Sequence, residues 1–251
     1  MLDGLRLALT TFTVVPVRAG RVDRATAGVA MGLAPLVGGL LGVVLAGIGL
    51  LARAGGASAL LTAAVTVALG VALTRALHVD GLADTADGLG SYRDAEGALA
   101  IMKRPDVGPF GVAAIVLVLL MQVAAATTAY TRPWPQALAT VVAAVATGRL
   151  GVTLACRRGV PAARPEGLGA LVAGTVGWAW VAGGFVAVAA VSAFAVPGRP
   201  WQGPSAVAVA LVAAALLVRH ATRRLGGVTG DVLGAVVEVA TTVAYVALTL
   251  S

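Results

Sequence analysis

Six stretches of this chain carry no charged side chain: residues 25–52, 54–74, 107–131, 133–148, 167–198 and 200–218. Most reach or exceed the roughly 20 apolar residues that take an α-helix across a bilayer. Inside the hydrocarbon layer every backbone N–H and C=O needs a partner from the protein, which leaves the helix as the structure such runs can form. A seventh segment, 231–251, is apolar apart from Asp231 at its start and Glu238 within it. The run 133–148 reaches a full span only by extending past Arg149. The expectation is an all-α integral membrane protein, a polytopic bundle of about seven transmembrane helices forming one membrane domain over 1–251. A chain 59% hydrophobic and 12% charged, with mean hydropathy +0.95, excludes a soluble globular domain.

The basic residues set an orientation. Arg53, Arg132 and Arg199 each stand alone in one connection. The other fifteen of the eighteen Lys and Arg fall in the alternate connections and the N-terminal arm. Positive charge collects on the cytoplasmic side, so the N-terminus is expected in the cytoplasm and, with seven spans, the C-terminus outside. The pI near 11 then reflects topology and lipid head groups, and nucleic acid is not an expected partner. No carboxylate lies in an outer connection, so the chemistry is expected on the cytoplasmic face. The lone Cys156 offers neither a disulfide framework nor a metal cluster. The apolar stretch 7–17 has no small-residue cleavage site of a signal peptide.

Only eleven residues are Asp or Glu, and three of them sit in His78-Val79-Asp80-Gly81-Leu82-Ala83-Asp84-Thr85-Ala86-Asp87-Gly88. Asp80, Asp84 and Asp87 fall at i, i+4 and i+7, on one face of a helix. In a soluble protein this is an ordinary solvated acidic face. Between apolar helices ionisable residues mark function, and crowded carboxylates call for a cation. Hard oxygen ligands at this density suit Mg²⁺. Glu238 lies at i+7 from Asp231, on the same face of the last span, where an unpaired carboxylate costs a few kcal/mol. A cation or a basic partner in the bundle must offset that cost, and the expectation is a contribution to the same metal site. His78, with a pKa near neutrality, is a candidate base or a partner that orients a carboxylate.

The segment 78–106 is too polar to span and is expected to lie at the cytoplasmic surface as one or two short amphipathic helices. Ser91 is placed to cap the second of these, with Asp94 reciprocating three residues on. Residues 2–15 read either as a short amphipathic helix lying in the interface or as the start of the bundle. The loop 156–169 offers Arg157, Arg158 and Arg164, whose guanidinium groups suit phosphate recognition. Arg223-Arg224-Leu225-Gly226-Gly227-Val228-Thr229-Gly230-Asp231 frees backbone N–H groups toward an anion, with Asp231 in a capping position. His220 reads as a surface residue. The glycine-rich first span reads as close helix packing, which permits a homo-oligomer without requiring one.

Four of these motifs together resemble the cobalamin synthase family, the adenosylcobinamide-GDP ribazoletransferases late in vitamin B12 assembly. They are His78-x-Asp80-Gly-Leu-Ala-Asp84-x-x-Asp87-Gly, Ile101-Met102-Lys103 leading to Gly108-x-Phe110-Gly111, Arg164-Pro165-x-Gly167-Leu168-Gly169, and Thr229-Gly230-Asp231-x-x-Gly234-Ala235 with Glu238. They run in the family's order from about residue 1 to 250. One departure stands out: where the family follows the Met-Lys stretch with an acidic, a small and a basic residue, this chain has Arg104-Pro105-Asp106.

The resemblance implies a multi-pass enzyme of the bacterial inner membrane. Its substrates would be adenosylcobinamide-GDP and α-ribazole or its 5′-phosphate, with GMP as leaving group and Mg²⁺ required. It implies Asp80, Asp84 and Asp87 as metal ligands completed by Asp231 and Glu238, and Lys103, Arg164 and Arg149 as phosphate-binding residues. Displacement at a phosphoanhydride needs charge neutralisation and positioning more than covalent chemistry, which suits a carboxylate-held Mg²⁺ with Arg and Lys nearby. Two rivals are weaker. The CDP-alcohol phosphatidyltransferases have an Asp-Gly-x-x-Ala-Arg pattern that Asp80-Gly81-Leu82-Ala83-Asp84-Thr85 lacks. A cation-coupled transporter would place its carboxylates within spans, where only Glu238 lies.

Overall fold

The computed structural model describes residues 1–18 and 20–250. Its helices are α1 (Leu2–Phe12), α2 (Arg24–Gly32), α3 (Ala34–Ala54), α4 (Ala59–Leu73), α5 (Leu77–Gly90), α6 (Ala95–Ile101), α7 (Pro109–Tyr130), α8 (Trp134–Ala155), α9 (Gly167–Val172), α10 (Trp178–Ser192), α11 (Gln202–Leu225) and α12 (Gly230–Thr249). Among the described residues the only β pairings are isolated bridges, Arg157 with Val176 and Ala162 with Val228.

Helix α8 is the centre of the bundle, packed on α3, α10, α11 and α12. Its composition explains why: alanine, glycine and threonine let neighbouring backbones approach where lipid gives no hydrophobic driving force. A Cβ on Gly38 of α3 would stand 2.9 Å from the Val145 carbonyl of α8, and one on Gly148 of α8 would stand 2.9 Å from that of Val237 in α12. The span expected to be weakest from its short uncharged run is thus the most enclosed of the candidate spans, with Arg149 buried within it.

Among the described residues five helices, counting α2 and α3 together as Arg24–Ala54, are long and apolar enough to cross a membrane. The expected second and fifth spans are the exceptions. Gly55 and Gly56 turn the chain, and Ser58, accepting from the Leu61 N–H, starts α4 late, leaving it 15 residues. The run 167–198 breaks at Gly174, whose φ of +72° ends one helix, so α10 is also only 15 residues long. Together α4 and α5 would make a sixth span, yet they meet at an 86° bend.

One end of the bundle is stitched together by its loops. The Val14 N–H donates to the Leu73 carbonyl (2.8 Å), Val228 to Pro161 (2.9 Å) and Ala163 to Val228 (3.0 Å). Arg24 donates to the Ala170 and Ala173 carbonyls, Arg224 to Arg93 and Arg164 to Leu99. Helix α1 lies across this end, its buried Gly4, Ala8 and Phe12 one turn apart. Helix α6 is capped by Asp94, which accepts from the Gly97 N–H at 2.9 Å. The expected Ser91 cap is not made: the Ser91 hydroxyl donates to the Gly88 carbonyl and closes α5 instead. Tyr92, at a φ of +55°, separates the two helices.

Candidate active site

Sequence places the three aspartates on one face; the backbone decides what that face meets. Between α4 and α5, Arg75 and Ala76 both occupy the left-handed region, at φ +57° and +55°. Each such residue costs on the order of 1–3 kcal/mol unless its surroundings enforce it. Here the Arg75 guanidinium donates to the Thr10 carbonyl at 2.8 Å, and the Ala76 N–H to that of Val71 at 2.9 Å. The resulting bend lays α5 across the first turns of α12 and α7. Contact with α12 is backbone to backbone. A Cβ on Gly81 would stand 2.9 Å from the Asp231 Cα, and one on Gly234 would stand 3.1 Å from the His78 carbonyl. Any larger residue at either glycine would push the helices apart.

Asp80, Asp84 and Asp231 therefore face one another. Asp80 is exposed, whereas Asp84 and Asp231 are half-buried. Burial, and then the charges of Asp231, Asp80 and Asp87, push the Asp84 carboxyl up to about 6, against the pull of Arg164. Capping of α12 falls to Thr229, whose hydroxyl oxygen accepts from the Val232 N–H at 3.2 Å. Asp231, the sequence's candidate cap, is thereby left free. It accepts from the Thr229 hydroxyl at 3.2 Å and has the Arg164 guanidinium 3.8 Å away. Arg164 is anchored on the Leu99 carbonyl at 2.7 Å, with its Nε buried and unpartnered.

Asp87 shares the helix face but not the environment. Its two carboxylate oxygens accept from the Gly108 N–H (2.7 Å) and the Gly111 N–H (2.9 Å), capping α7. Glu238 does not join the row either. It is buried in the bundle, where its Oε2 accepts from the Gln122 amide at 2.8 Å, and it walls a small cavity with Arg149, Thr66, Thr241 and Tyr245. Arg149, expected at the phosphates, belongs with Glu238. Lys103 is exposed and walls none of the hollows described below; its neighbour Arg104 does. Arg157 stacks over Trp178 at 5.7 Å. Burial pushes the Cys156 thiol up, keeping it inert. His220 is exposed, as expected.

Two hollows flank the carboxylate row. One, of about 220 Å³, is walled by residues including Thr11, Phe12, Met31, His78, Asp80, Leu168 and Asp231. The other, of about 210 Å³, is walled by Asp84, Asp87, Ser91, Ile101, Arg104, Asp106, Gly108, Pro109 and Phe110. His78 is buried, with its ring 6.1 Å from that of Phe12 and its Nδ1 unpartnered. Burial, and after it the charge of Arg149, holds its pKa well below the usual histidine range, so the imidazole is neutral. Among the described residues no three His, Cys, Asp or Glu side chains close on a point to hold a metal ion by themselves.

Sequence reasoning missed Ser91, Arg104, Asp106 and the α1 residues Thr11 and Phe12 as walls of these hollows. Amphipathicity gave α1 an apolar face but nothing to place it against. Arg104 and Asp106 were visible only as a departure from a pattern.

The family model for cobalamin-5-phosphate synthase matches residues 4–249. A relative from Frankia casuarinae, an adenosylcobinamide-GDP ribazoletransferase, is 42% identical over 98% of this chain and 94% of its own. Relatives of the same name from a Nocardioides species and Pseudomonas paraeruginosa are 39% and 40% identical. They cover 96% and 99% of this chain and 95% and 98% of their own. No solved structure matches the chain. With its apolar helices and a carboxylate row at one end of the bundle, the chain belongs to the cobalamin-5-phosphate synthase family.

Proposed function

We propose that this enzyme transfers the adenosylcobinamide phosphate group from adenosylcobinamide-GDP to a hydroxyl of α-ribazole or its 5′-phosphate, releasing GMP. The observation that carries this reading is the carboxylate row of Asp80, Asp84 and Asp231 lying between two hollows, an arrangement that seats two substrates against one charged centre. The name of these relatives supplies both substrates.

The row fits Mg²⁺ in its donor chemistry: hard carboxylate oxygens, crowded enough that Asp84 is pushed toward protonation. Asp80, Asp84 and Asp231 would hold the ion, with the rest of its shell from substrate oxygens and water. When bound, Mg²⁺ neutralises charge on the diphosphate. Arg164, fixed by the Leu99 carbonyl, places a guanidinium beside the row for a phosphate oxygen. The new P–O bond forms to the ribazole hydroxyl as the bridging P–O bond to GMP breaks. A carboxylate oxygen of the row takes the hydroxyl proton. Helix α5 lying over the bundle end holds these groups at the membrane surface.

This end faces the cytoplasm of a bacterial inner membrane in our reading. Arg53, Arg132 and Arg199 lie at the opposite end, and the remaining exposed basic residues lie at this one.

The test is GMP release by the protein in lipid nanodiscs given both substrates and Mg²⁺, beside Asp84→Asn. Mg²⁺-dependent GMP formation that the variant loses supports the reaction and the row. Turnover that survives Asp84→Asn moves the site, and no GMP from folded wild type overturns the reaction.

A further inference from the structure

We propose that the hollow beneath α1 is the seat of the acceptor's flat bicyclic base, with His78 donating a hydrogen bond to the base's free ring nitrogen. This deepens the transferase reading above and rests on it.

The hollow is drawn from six parts of the chain, so its shape is fixed by the fold rather than by one loop. Phe12 of α1, Met31 of α2, Val152 of α8, Leu168 of α9 and Leu233 of α12 give it apolar walls, and His78 of α5 completes them. At about 220 Å³ it is smaller than the 300–1,000 Å³ pockets that take whole drug-sized ligands. A corrin ring does not fit, and a bicyclic aromatic ring does. Asp80 and Asp231 also line it, so a sugar attached to a base held inside reaches the row.

Polar matching separates the candidate bases. Guanine carries an amide edge and an exocyclic amine, and with the Asp80 and Asp231 carboxylates taken up by the row this wall would leave most of them unpaired. A benzimidazole-type base carries one free ring nitrogen, an acceptor. His78 is 6% exposed, and its Nδ1 has no partner in the protein. With its proton on the nitrogen that faces the base, the imidazole has one N–H to give. The unpaired His78 ring thus meets one unpaired acceptor. The second hollow has Ser91, Arg104 and Asp106 in its wall besides Asp84 and Asp87, polar groups beyond the row, and is left to the nucleotide.

The test uses wild type, Leu168→Trp and His78→Phe in nanodiscs. Leu168 is 40% exposed on a short helix at the rim, so a larger side chain there fills the hollow without rebuilding the core. Leu168→Trp is expected to raise KM for α-ribazole 5′-phosphate by about tenfold or more while KM for adenosylcobinamide-GDP stays within about twofold. Direct binding is read from benzimidazole fluorescence on titrating α-ribazole into protein without the GDP substrate. Wild type is expected to bind α-ribazole about tenfold or more tightly than its indole analogue, whose ring nitrogen is replaced by C–H, and His78→Phe to lose that preference. A rise in KM for adenosylcobinamide-GDP instead, no change in either KM, or a base preference unchanged in His78→Phe overturns the inference. Wild type that binds α-ribazole with the expected preference but releases no GMP overturns the transferase reading and leaves the seat standing.

Discussion

Asp231 and Glu238 stand two turns apart on one face of α12, yet the fold gives them opposite surroundings. Asp231 looks onto Asp80 and Asp84, three carboxylates with Arg164 as the nearby cation. Glu238 looks onto Gln122 and Arg149, in a pocket that Thr66, Thr241 and Tyr245 complete and that has about 40 Å³ free, room for water. Gln122 also donates to the Thr242 hydroxyl at 3.0 Å, and the Thr66 and Tyr130 hydroxyls meet at 2.8 Å. One cluster is left short of positive charge beside two open hollows. The other encloses one carboxylate and one guanidinium inside the bundle. A carboxylate's role in this membrane protein follows from the element opposite it, more than from its own helix face.

The sharpest way to break this contrast is to remove charge from the row. Asp84→Asn keeps the shape of the side chain and is expected to cut GMP release by about 10³ or more, since in the proposed reaction it withdraws a charge from the centre where phosphoryl charge would develop. The thermal midpoint is expected to hold or rise, because the substitution relieves crowding from Asp80, Asp87 and Asp231. A large activity loss that came with an equal loss of folded protein would erase the distinction between the two clusters.

The buried cluster is expected to answer in the opposite way. Arg149→Leu or Glu238→Leu alone leaves a charge in the bundle without its counter-charge, at about 3 kcal/mol each. The double variant is expected to recover most of that loss, the signature of coupled partners. Turnover per folded molecule is expected to stay within about tenfold of wild type in the double variant. Thermal midpoints of the four proteins in nanodiscs, beside their GMP release, check both statements. Glu238→Leu that removed the Mg²⁺ requirement at an unchanged midpoint would return Glu238 to the metal site.

Sequence carried the fold class and the carboxylate row further than it carried the partners. Uncharged runs announced membrane helices because burial in lipid admits little else, and the i, i+4, i+7 spacing put Asp80, Asp84 and Asp87 on one face. Span lengths were less legible. The Gly55-Gly56 turn and the Gly174 break shortened α4 and α10 inside runs that hydropathy could not divide. Arg149 read as a phosphate ligand near a helix end because its uncharged run stopped there; packing by glycine and alanine enclosed it instead. Thr229 took the cap that Asp231 seemed placed for, a choice made by side-chain geometry over two residues. The bend at Arg75-Ala76, which lays the row across α12, has no glycine to announce it.

Asp87 tests the contrast at its finest grain, because it belongs to the row by sequence and to the backbone by geometry. Both its oxygens are engaged by the Gly108 and Gly111 N–H groups at the start of α7. A carboxylate there complements the orphan donors and the positive end of the helix. Asp87→Asn retains one acceptor oxygen and replaces the other with an amide NH₂, a donor that opposes an N–H. The expected cost is about 1 kcal/mol of stability, seen as a small drop in thermal midpoint. GMP release is expected to fall by less than about tenfold, through a looser α5 rather than through lost metal binding. The Mg²⁺ concentration for half-maximal rate should therefore match that of wild type. Should that concentration rise strongly at an unchanged midpoint, Asp87 would have to swing away from α7 to act, and the row would be longer than its resting geometry.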